Sequence, residues 1–327
     1  MRAALCRAYG PPEQVRVEDV PDPPLSAGQV RVGVAAAAVN FPDVLLVAGQ
    51  YQVTVPPPFV PGSELAGRVL EVGEAVTDVA VGQEVFASTM VGAFAEQAVV
   101  AAASVTPVPA GVELRTAAAF GVAYRTAYHA LRSVAAVQAG EELVVLGAGG
   151  GVGLAAVQLG ALLGATVTAV ASSAEKLAAA ERHGASRLIN HRGADLRQAL
   201  RAALPAGADV VVDPVGGALA EPALRSLHFG GRFVTLGYAS GEIPRIPLNV
   251  VLLKGVTVLG FQLVDFATHR AEERRRDEDE LMAMFASGQA TPYIGASFDL
   301  EDAAAALRMV ADGRAVGKVV IDVERAG

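Results

Sequence analysis

The run Leu143-Val144-Val145-Leu146 reads as a strand, and it leads directly into Gly147-Ala148-Gly149-Gly150-Gly151-Val152-Gly153 and then an Ala/Leu-rich helical segment. Residues without side chains let the main chain approach a charged group closely. The amides at the start of the following helix are then available to hold negative charge. These are the requirements of a dinucleotide pyrophosphate. In the frame ending at Gly153 the pattern is A-x-G-x-x-G rather than G-x-G-x-x-G, so the strand before and the helix after carry the reading. A glycine turn that only packs helix to strand is the plainer alternative.

The tip of the next strand chooses between the two nicotinamide cofactors. An acid there would hold the ribose 2′-hydroxyl of NAD. Here the strand ends Val170-Ala171-Ser172-Ser173, followed by Glu175 and Lys176. Small hydroxyls leave room for a 2′-phosphate, and an ammonium one turn into the next helix can neutralise it, so NADPH is the expected cofactor. Taken singly, Ser172 and Ser173 also suit a helix cap, and Lys176 an exposed helix position.

The elements that position this turn follow from periodicity. The first 110 residues hold short β-like runs such as Gln29–Val34, Gly67–Val72 and Glu96–Val100, separated by Pro- and Gly-rich turns. That texture predicts an all-β, barrel-like domain. Near residue 115 it changes. Leu114 to Arg132 reads as helical, and strands at Glu142–Leu146, Thr166–Ala171, Ser186–Ile189, Val210–Asp213, Arg232–Leu236 and Val256–Phe261 then alternate with helices. Such alternation predicts a mostly parallel sheet covered on both faces, hence an α/β fold with a Rossmann-type doubly wound sheet. A charged helix over Arg270 to Ala286 and a helix–strand pair ending in Gly317-Lys318-Val319-Val320-Ile321 complete the chain.

With 327 residues, two domains are expected. Hydrophobic residues make up 52% and charged residues 18%, which is ample for packed cores and argues against disorder. The net charge of −8 disfavours nucleic acid or an anionic membrane as a partner. Arg274-Arg275-Arg276 lies among acidic residues and reads as a solvated helix face. The single cysteine, Cys6, rules out an internal disulfide and any Cys-rich zinc site. No signal-peptide core opens the chain, and the apolar stretch from Leu154 to Ala171 is broken by Gln158, Gly160 and Gly164. A cytoplasmic protein is therefore expected. No two histidines stand at metal-ligand spacing, so no metal site is expected.

The chain resembles the medium-chain dehydrogenase/reductase superfamily, and within it the zinc-free quinone oxidoreductase (zeta-crystallin-like) branch. The resemblance rests on Val39-Asn40-Phe41-Pro42-Asp43, Gly49-Gln50-Tyr51, Pro61-Gly62-Ser63-Glu64-Leu65-Ala66-Gly67 and Val81-Gly82-Gln83-Glu84-Val85. It continues through Tyr124-Arg125-Thr126-Ala127-Tyr128, the glycine turn, Asp213-Pro214-Val215-Gly216-Gly217 and Gly317-Lys318-Val319-Val320. It implies a GroES-like β-barrel catalytic domain over residues 1–121 and 263–327, a Rossmann NADPH-binding domain over 122–262, and an active site in the cleft between them. Zinc-dependent relatives carry Gly-His-Glu where this chain has Gly62-Ser63-Glu64, so a serine replaces the zinc-ligating histidine and a zinc-bound alkoxide is not expected.

Without a metal, the hydride must go to an electron-poor acceptor such as a quinone or a conjugated carbonyl compound. The resemblance implies Asn40 and Thr126 beside the nicotinamide ribose as catalytic and cofactor residues, with Asp43 shaping the same loop. Tyr51 stands where related enoyl thioester reductases have a proton-donating tyrosine, and where quinone reductases have a tyrosine that only lines the pocket; both readings stand. Gly149, Gly150, Gly151, Val152 and Gly153 would hold the pyrophosphate, and Ser172, Ser173 and Lys176 the 2′-phosphate. His191 would meet that phosphate or stack on adenine, or else be an exposed loop residue. Val215, Gly237, Tyr238 and Phe261 would line the nicotinamide side, and Lys318 would reach the cofactor from the tail. The expected activity is that of an NADPH-dependent quinone reductase. An enoyl-CoA or enoyl-ACP reductase and a non-catalytic NADPH-binding protein are the alternatives. The edge strand Gly255–Phe261 implies a homodimer.

Overall fold

The computed structural model describes residues 1–324, and the chain divides into two compact units. One comprises Met1–Val122 together with the chain from Thr291 onward, and the other is Ala123–Ala290. In chain order the strands of the first unit begin with β1 (Arg2–Leu5), β2 (Arg16–Asp19), β3 (Gln29–Val39), β4 (Glu64–Val72), β5 (Glu84–Ser88), β6 (Gln97–Ala101) and β7 (Val105–Pro107). The second unit follows with β8 (Glu142–Leu146), β9 (Thr166–Ala171), β10 (Ala185–Asn190), β11 (Ala208–Asp213), β12 (Leu227–Thr235) and β13 (Thr257–Gly260). The first unit is completed by β14 (Ile294–Asp299) and β15 (Lys318–Asp322).

In the first unit a seven-stranded sheet runs β14-β15-β3-β4-β5-β7, with β6 pairing beside β3. Its pairs are antiparallel except β14 with β15. Alternation in β3 sends Val30, Val32 and Val34 inward, where they pack with Leu65, Val69, Val85 and Phe94. The far end of β3, Ala36 to Val39, is buried on both faces, which suits small residues close to neighbouring backbone. Helix Ala303–Ala311 lays Leu307 on this core, and Val319 and Ile321 of β15 join it. Each such buried side chain contributes about 1.5–3 kcal/mol. Strand β3 ends at Val39, and a short helix, Phe41–Val47, starts immediately after Asn40.

In the second unit six parallel strands run β10-β9-β8-β11-β12-β13. This is the doubly wound order with a switch point between β8 and β11. Leu143 to Leu146 and Val210 to Val212 are fully buried, as continuous apolar runs must be when helices cover both faces. The helix expected over Leu114 to Arg132 is instead three pieces, Leu114–Ala118, Gly121–His129 and a π-helical turn Ala130–Val134.

The second unit runs on to Ala290, past the boundary at residue 262 expected from the sequence, because helix Ala271–Ala286 is bound to the helix carrying Thr126. Asp277 Oδ2 lies 3.0 Å from His129 Nδ1 and accepts the Ser133 hydroxyl at 2.6 Å. Arg125 Nε donates to Glu278 at 2.9 Å, Arg132 Nε donates to Glu280 at 2.9 Å, and Leu281 and Phe285 are buried beneath. The charged run is therefore a solvated face only in part. Arg274 and Arg275 are exposed, while Asp277 is fully buried. Among the described residues no helix is long and apolar enough to cross a membrane.

Candidate functional site

The glycine turn leaves β8 at the switch point. The main chain of Gly147 comes so close to the helix Gly151–Leu162 that a Cβ on Gly153 would lie 2.1 Å from the Gly147 carbonyl oxygen. Only glycine fits there. Gly150 takes the N-cap position and brings no side chain to cap the helix, so the amides of its first turn are not claimed by a side chain of that residue. The loop after β11 flanks the turn. Asp213 Oδ1 accepts the N–H groups of Val215 and Gly216, both at 2.8 Å, and holds Val215 over Gly147. The loop after β12 is fastened to it, with Ala239 N bonded to Pro214 O and Ser240 N to Val215 O. Gly149 to Gly153, Val215, Gly237 and Tyr238 are thus gathered at the C-terminal end of the parallel strands.

The tip of β9 lies beside this turn, since Ala148 N bonds to Val170 O at 3.0 Å. Ser173 caps helix Ala174–Arg182, its hydroxyl accepting the Lys176 N–H at 3.3 Å. Lys176 then folds its stem back over Gly149, where a Cβ would meet the Lys176 Cβ at 2.3 Å. His191 follows β10, its N–H bonded to Ala171 O at 3.1 Å. Burial, then the neighbouring Arg192, holds the Lys176 ammonium below the usual lysine range. Burial, Arg192 and Lys176 together lower His191. Three basic groups therefore share one field beside Ser172 and Ser173, an arrangement that fits a bound 2′-phosphate. Arg192 directly follows His191 and is a further candidate; its only signal in the sequence is a basic residue three positions past the predicted strand ending at Ile189.

Thr126 is half-buried on helix Gly121–His129, one turn before His129. Phe261 is not gathered with the turn by any contact of its ring. It packs 5.4 Å from Phe266 and 6.4 Å from His129, within the cluster that binds the last helices of the unit.

The remaining candidates belong to the first unit and form a buried polar cluster. Lys318, the first residue of β15, is 4% exposed, and its ammonium donates to Asn40 Oδ1 at 2.7 Å and to Glu64 Oε2 at 3.0 Å. Asn40 Nδ2 donates to Glu64 Oε2 at 3.1 Å and to Ser63 Oγ at 3.3 Å. The second Glu64 oxygen accepts the Val122 N–H at 2.7 Å, so both carboxylate oxygens are satisfied. Lys318 thereby fixes the orientation of the Asn40 amide.

Asp43 lies in the same cluster. Its Oδ2 accepts the Asn40 N–H at 2.7 Å, while Oδ1 is buried without a hydrogen-bond partner among the described residues. Burial raises this carboxyl to about 7 against the opposing pull of the Asn40 N–H, the Ser63 hydroxyl and the Lys318 charge. Tyr51 packs half-buried on the same core, and burial, then the Asp43 charge, raises its phenol. The position matching the zinc-ligating histidine holds Ser63, whose hydroxyl oxygen accepts the Asn40 amide at 3.3 Å, and a neutral hydroxyl is a poor zinc ligand. The residues do not fit the metal. Among the described residues no group of three or more His, Cys, Asp or Glu side chains is placed to hold one.

Two family models match the chain. Residues 26–110 match the alcohol dehydrogenase GroES-like domain, and residues 151–286 match the zinc-binding dehydrogenase domain. Quinone oxidoreductase-like protein 2 of Bos taurus is 35% identical over 99% of this chain and 93% of its own length. The Escherichia coli quinone oxidoreductase crystallised with NADPH superposes with a TM-score of 0.91 at 27% identity, covering 99% of this chain and 100% of that one. Acryloyl-coenzyme A reductase of Sulfurisphaera tokodaii is 26% identical over 95% of this chain and 97% of its own.

Proposed function

Because the chain belongs to the quinone oxidoreductase-like members of the medium-chain dehydrogenase/reductase superfamily, we propose that it is an NADPH-dependent, zinc-independent reductase of a quinone or a related conjugated carbonyl compound. The observation that carries the proposal is Ser63, which stands in place of the zinc-ligating histidine and accepts the Asn40 amide. A hydroxyl there, in place of an imidazole, leaves a catalytic metal without its histidine ligand. An acceptor that receives no Lewis-acid activation must already be electron-poor, as a quinone is.

Bound NADPH supplies the hydride. The glycine turn offers its main chain to the pyrophosphate, and Lys176 and Arg192 offer positive charge, with the His191 ring as a hydrogen-bonding partner, to the 2′-phosphate. Asn40, its amide fixed by Lys318 and Glu64, presents a set orientation rather than a rotating one. Tyr51 keeps its proton at neutral pH and lies next to a carboxyl that titrates near neutrality.

Tyr51 also favours a second reading, reduction of an enoyl thioester, in which the phenol gives its proton to the developing enolate. The relative named acryloyl-coenzyme A reductase supports it. The two are separated by following NADPH oxidation with a quinone panel and an enoyl-CoA panel, using the parent chain and Tyr51→Phe. Quinone turnover that survives the substitution supports the first reading. Enoyl-CoA turnover that falls about a hundredfold or more supports the second. Tight NADPH binding with no oxidation on either panel sinks both and marks a non-catalytic binding protein.

The outer edge of the parallel sheet supports a homodimer. Strand β13 pairs only with β12 among the described residues. Leu252, Leu253 and Phe229 nearby are each at least 75% exposed, and Val258 on the strand itself is 41% exposed. A second copy pairing at this edge would cover both the unpaired main chain and the apolar side chains.

A further inference from the structure

At the opposite end of the parallel sheet from the glycine turn, the segments that lead into β11, β12 and β13 border an open cavity of about 340 Å³. Its lining holds Arg197, Arg201, Arg225, Lys254 and His228, and no carboxylate. In a chain of net charge −8, this concentration of positive charge stands out from the rest of the surface. Arg197 and Arg201 lie one turn apart on helix Leu196–Ala203, so they project from the same face. Neither makes an ion pair or side-chain hydrogen bond among the described residues, and like charges at this spacing repel. Arg225 is held by Glu221 at 2.8 Å, and His228 by Asp209 at 2.6 Å.

Lys254 is anchored differently. Its ammonium donates to the main-chain oxygens of Arg225 at 2.6 Å and Leu227 at 2.5 Å, which fix its place without neutralising it. Burial, then the charges of Arg225 and Arg197, pushes it below the ordinary lysine range. A second depression of about 510 Å³ shares Arg197 and Arg225, but Asp195, Glu221 and Glu242 line it as well, so its charges are balanced. Only the first is left cationic.

We propose that this cavity binds a ligand carrying two or more linked phosphates. Two guanidinium forks one helical turn apart suit adjacent phosphoryl groups, each fork donating paired N–H bonds. The immobilised Lys254 ammonium adds a point charge from the cavity wall. The site is separate from the cofactor turn and does not rest on the activity proposed above.

The test is calorimetric titration of the NADPH-saturated protein with inorganic pyrophosphate, ATP and orthophosphate at low ionic strength. Saturation with NADPH removes the glycine turn as a competing site. The expected result is one equivalent of pyrophosphate or ATP, bound at least about tenfold more tightly than orthophosphate and weakened by salt. Equal affinity for pyrophosphate and ATP assigns the phosphate chain alone as the ligand; tighter ATP binding assigns a nucleotide. The double substitution Arg197→Gln/Arg201→Gln should weaken binding at least about tenfold and leave NADPH affinity unchanged. Arg201→Glu alone should do the same in the direction of repulsion. Absence of binding at millimolar pyrophosphate, or binding that both variants leave intact, overturns the proposal.

Discussion

Lys318 Nζ and Glu64 Oε2 stand 3.0 Å apart with both side chains sealed from solvent, 4% and 0% exposed. Such a pair costs desolvation on both sides, and its value lies in what it fixes. Removing one partner is the severe change. Lys318→Met should cost about 3–5 kcal/mol of stability, because a buried carboxylate is left without its cation. Urea unfolding measures this. Adding Glu64→Gln should recover most of the loss, and a double variant as unstable as the single one would refute the pairing.

Lys176→Ala should weaken NADPH binding about tenfold or more, the loss of one charge-assisted contact of about 1.5–3 kcal/mol. NADH, which lacks the 2′-phosphate, should bind as before. Fluorescence titration of the two cofactors decides it. Equal weakening of both would move Lys176 from the 2′-phosphate to the pyrophosphate, the group nearest Gly149.

Asp43 gives a pH dependence of definite sign. Its carboxyl is raised from 3.8 to about 7 in the folded protein, so the folded state keeps a proton that the unfolded chain releases over that interval. The contribution is complete below pH 3.8 and is lost as pH rises to about 7, at up to about 1.4 kcal/mol per unit. Asp43→Asn keeps an oxygen for the Asn40 N–H and carries no proton to lose. Its melting temperature should therefore overtake that of the parent protein above neutrality. Parallel stability curves for the two across this range would show that the carboxyl does not titrate there.

Val258→Lys should place charges along the open edge of β13 and separate the proposed dimer without unfolding the sheet, since the side chain is already partly exposed. Sedimentation at micromolar concentration reports the state. A parent protein that sediments as a monomer removes the edge-pairing proposal altogether.

The second unit was the more legible part of the sequence. Strands β8 and β9 start and end where apolar runs and turn residues place them, because a parallel sheet buried on both faces leaves an unbroken hydrophobic signature. The glycine turn was legible for the same reason, with a strand before it and a helix after it. The family resemblance stated from the ordered motifs agrees with the domain matches and with relatives over nearly the whole chain. What could not be read was pairing over distance. Nothing near Lys318 announces Glu64, 254 positions earlier, or the carboxylate and amide that its ammonium meets. Asp277 sat inside a charged run that looked solvated, and only its packing against His129 and Ser133 shows otherwise. Arg192 acquires meaning only when the tips of β9 and β10 lie side by side.

The Lys318 contact also bears on the order in which the protein is made. Asn40 and Glu64 leave the ribosome early, and the whole second unit is synthesised before β15 emerges with the cation they require. Until then Glu64 stays hydrated or is buried at a penalty, so closing the nascent first unit over it is disfavoured. The site that orients Asn40 is thus assembled last, and a chain interrupted before Lys318 would carry a complete glycine turn while lacking the anchor for its amide.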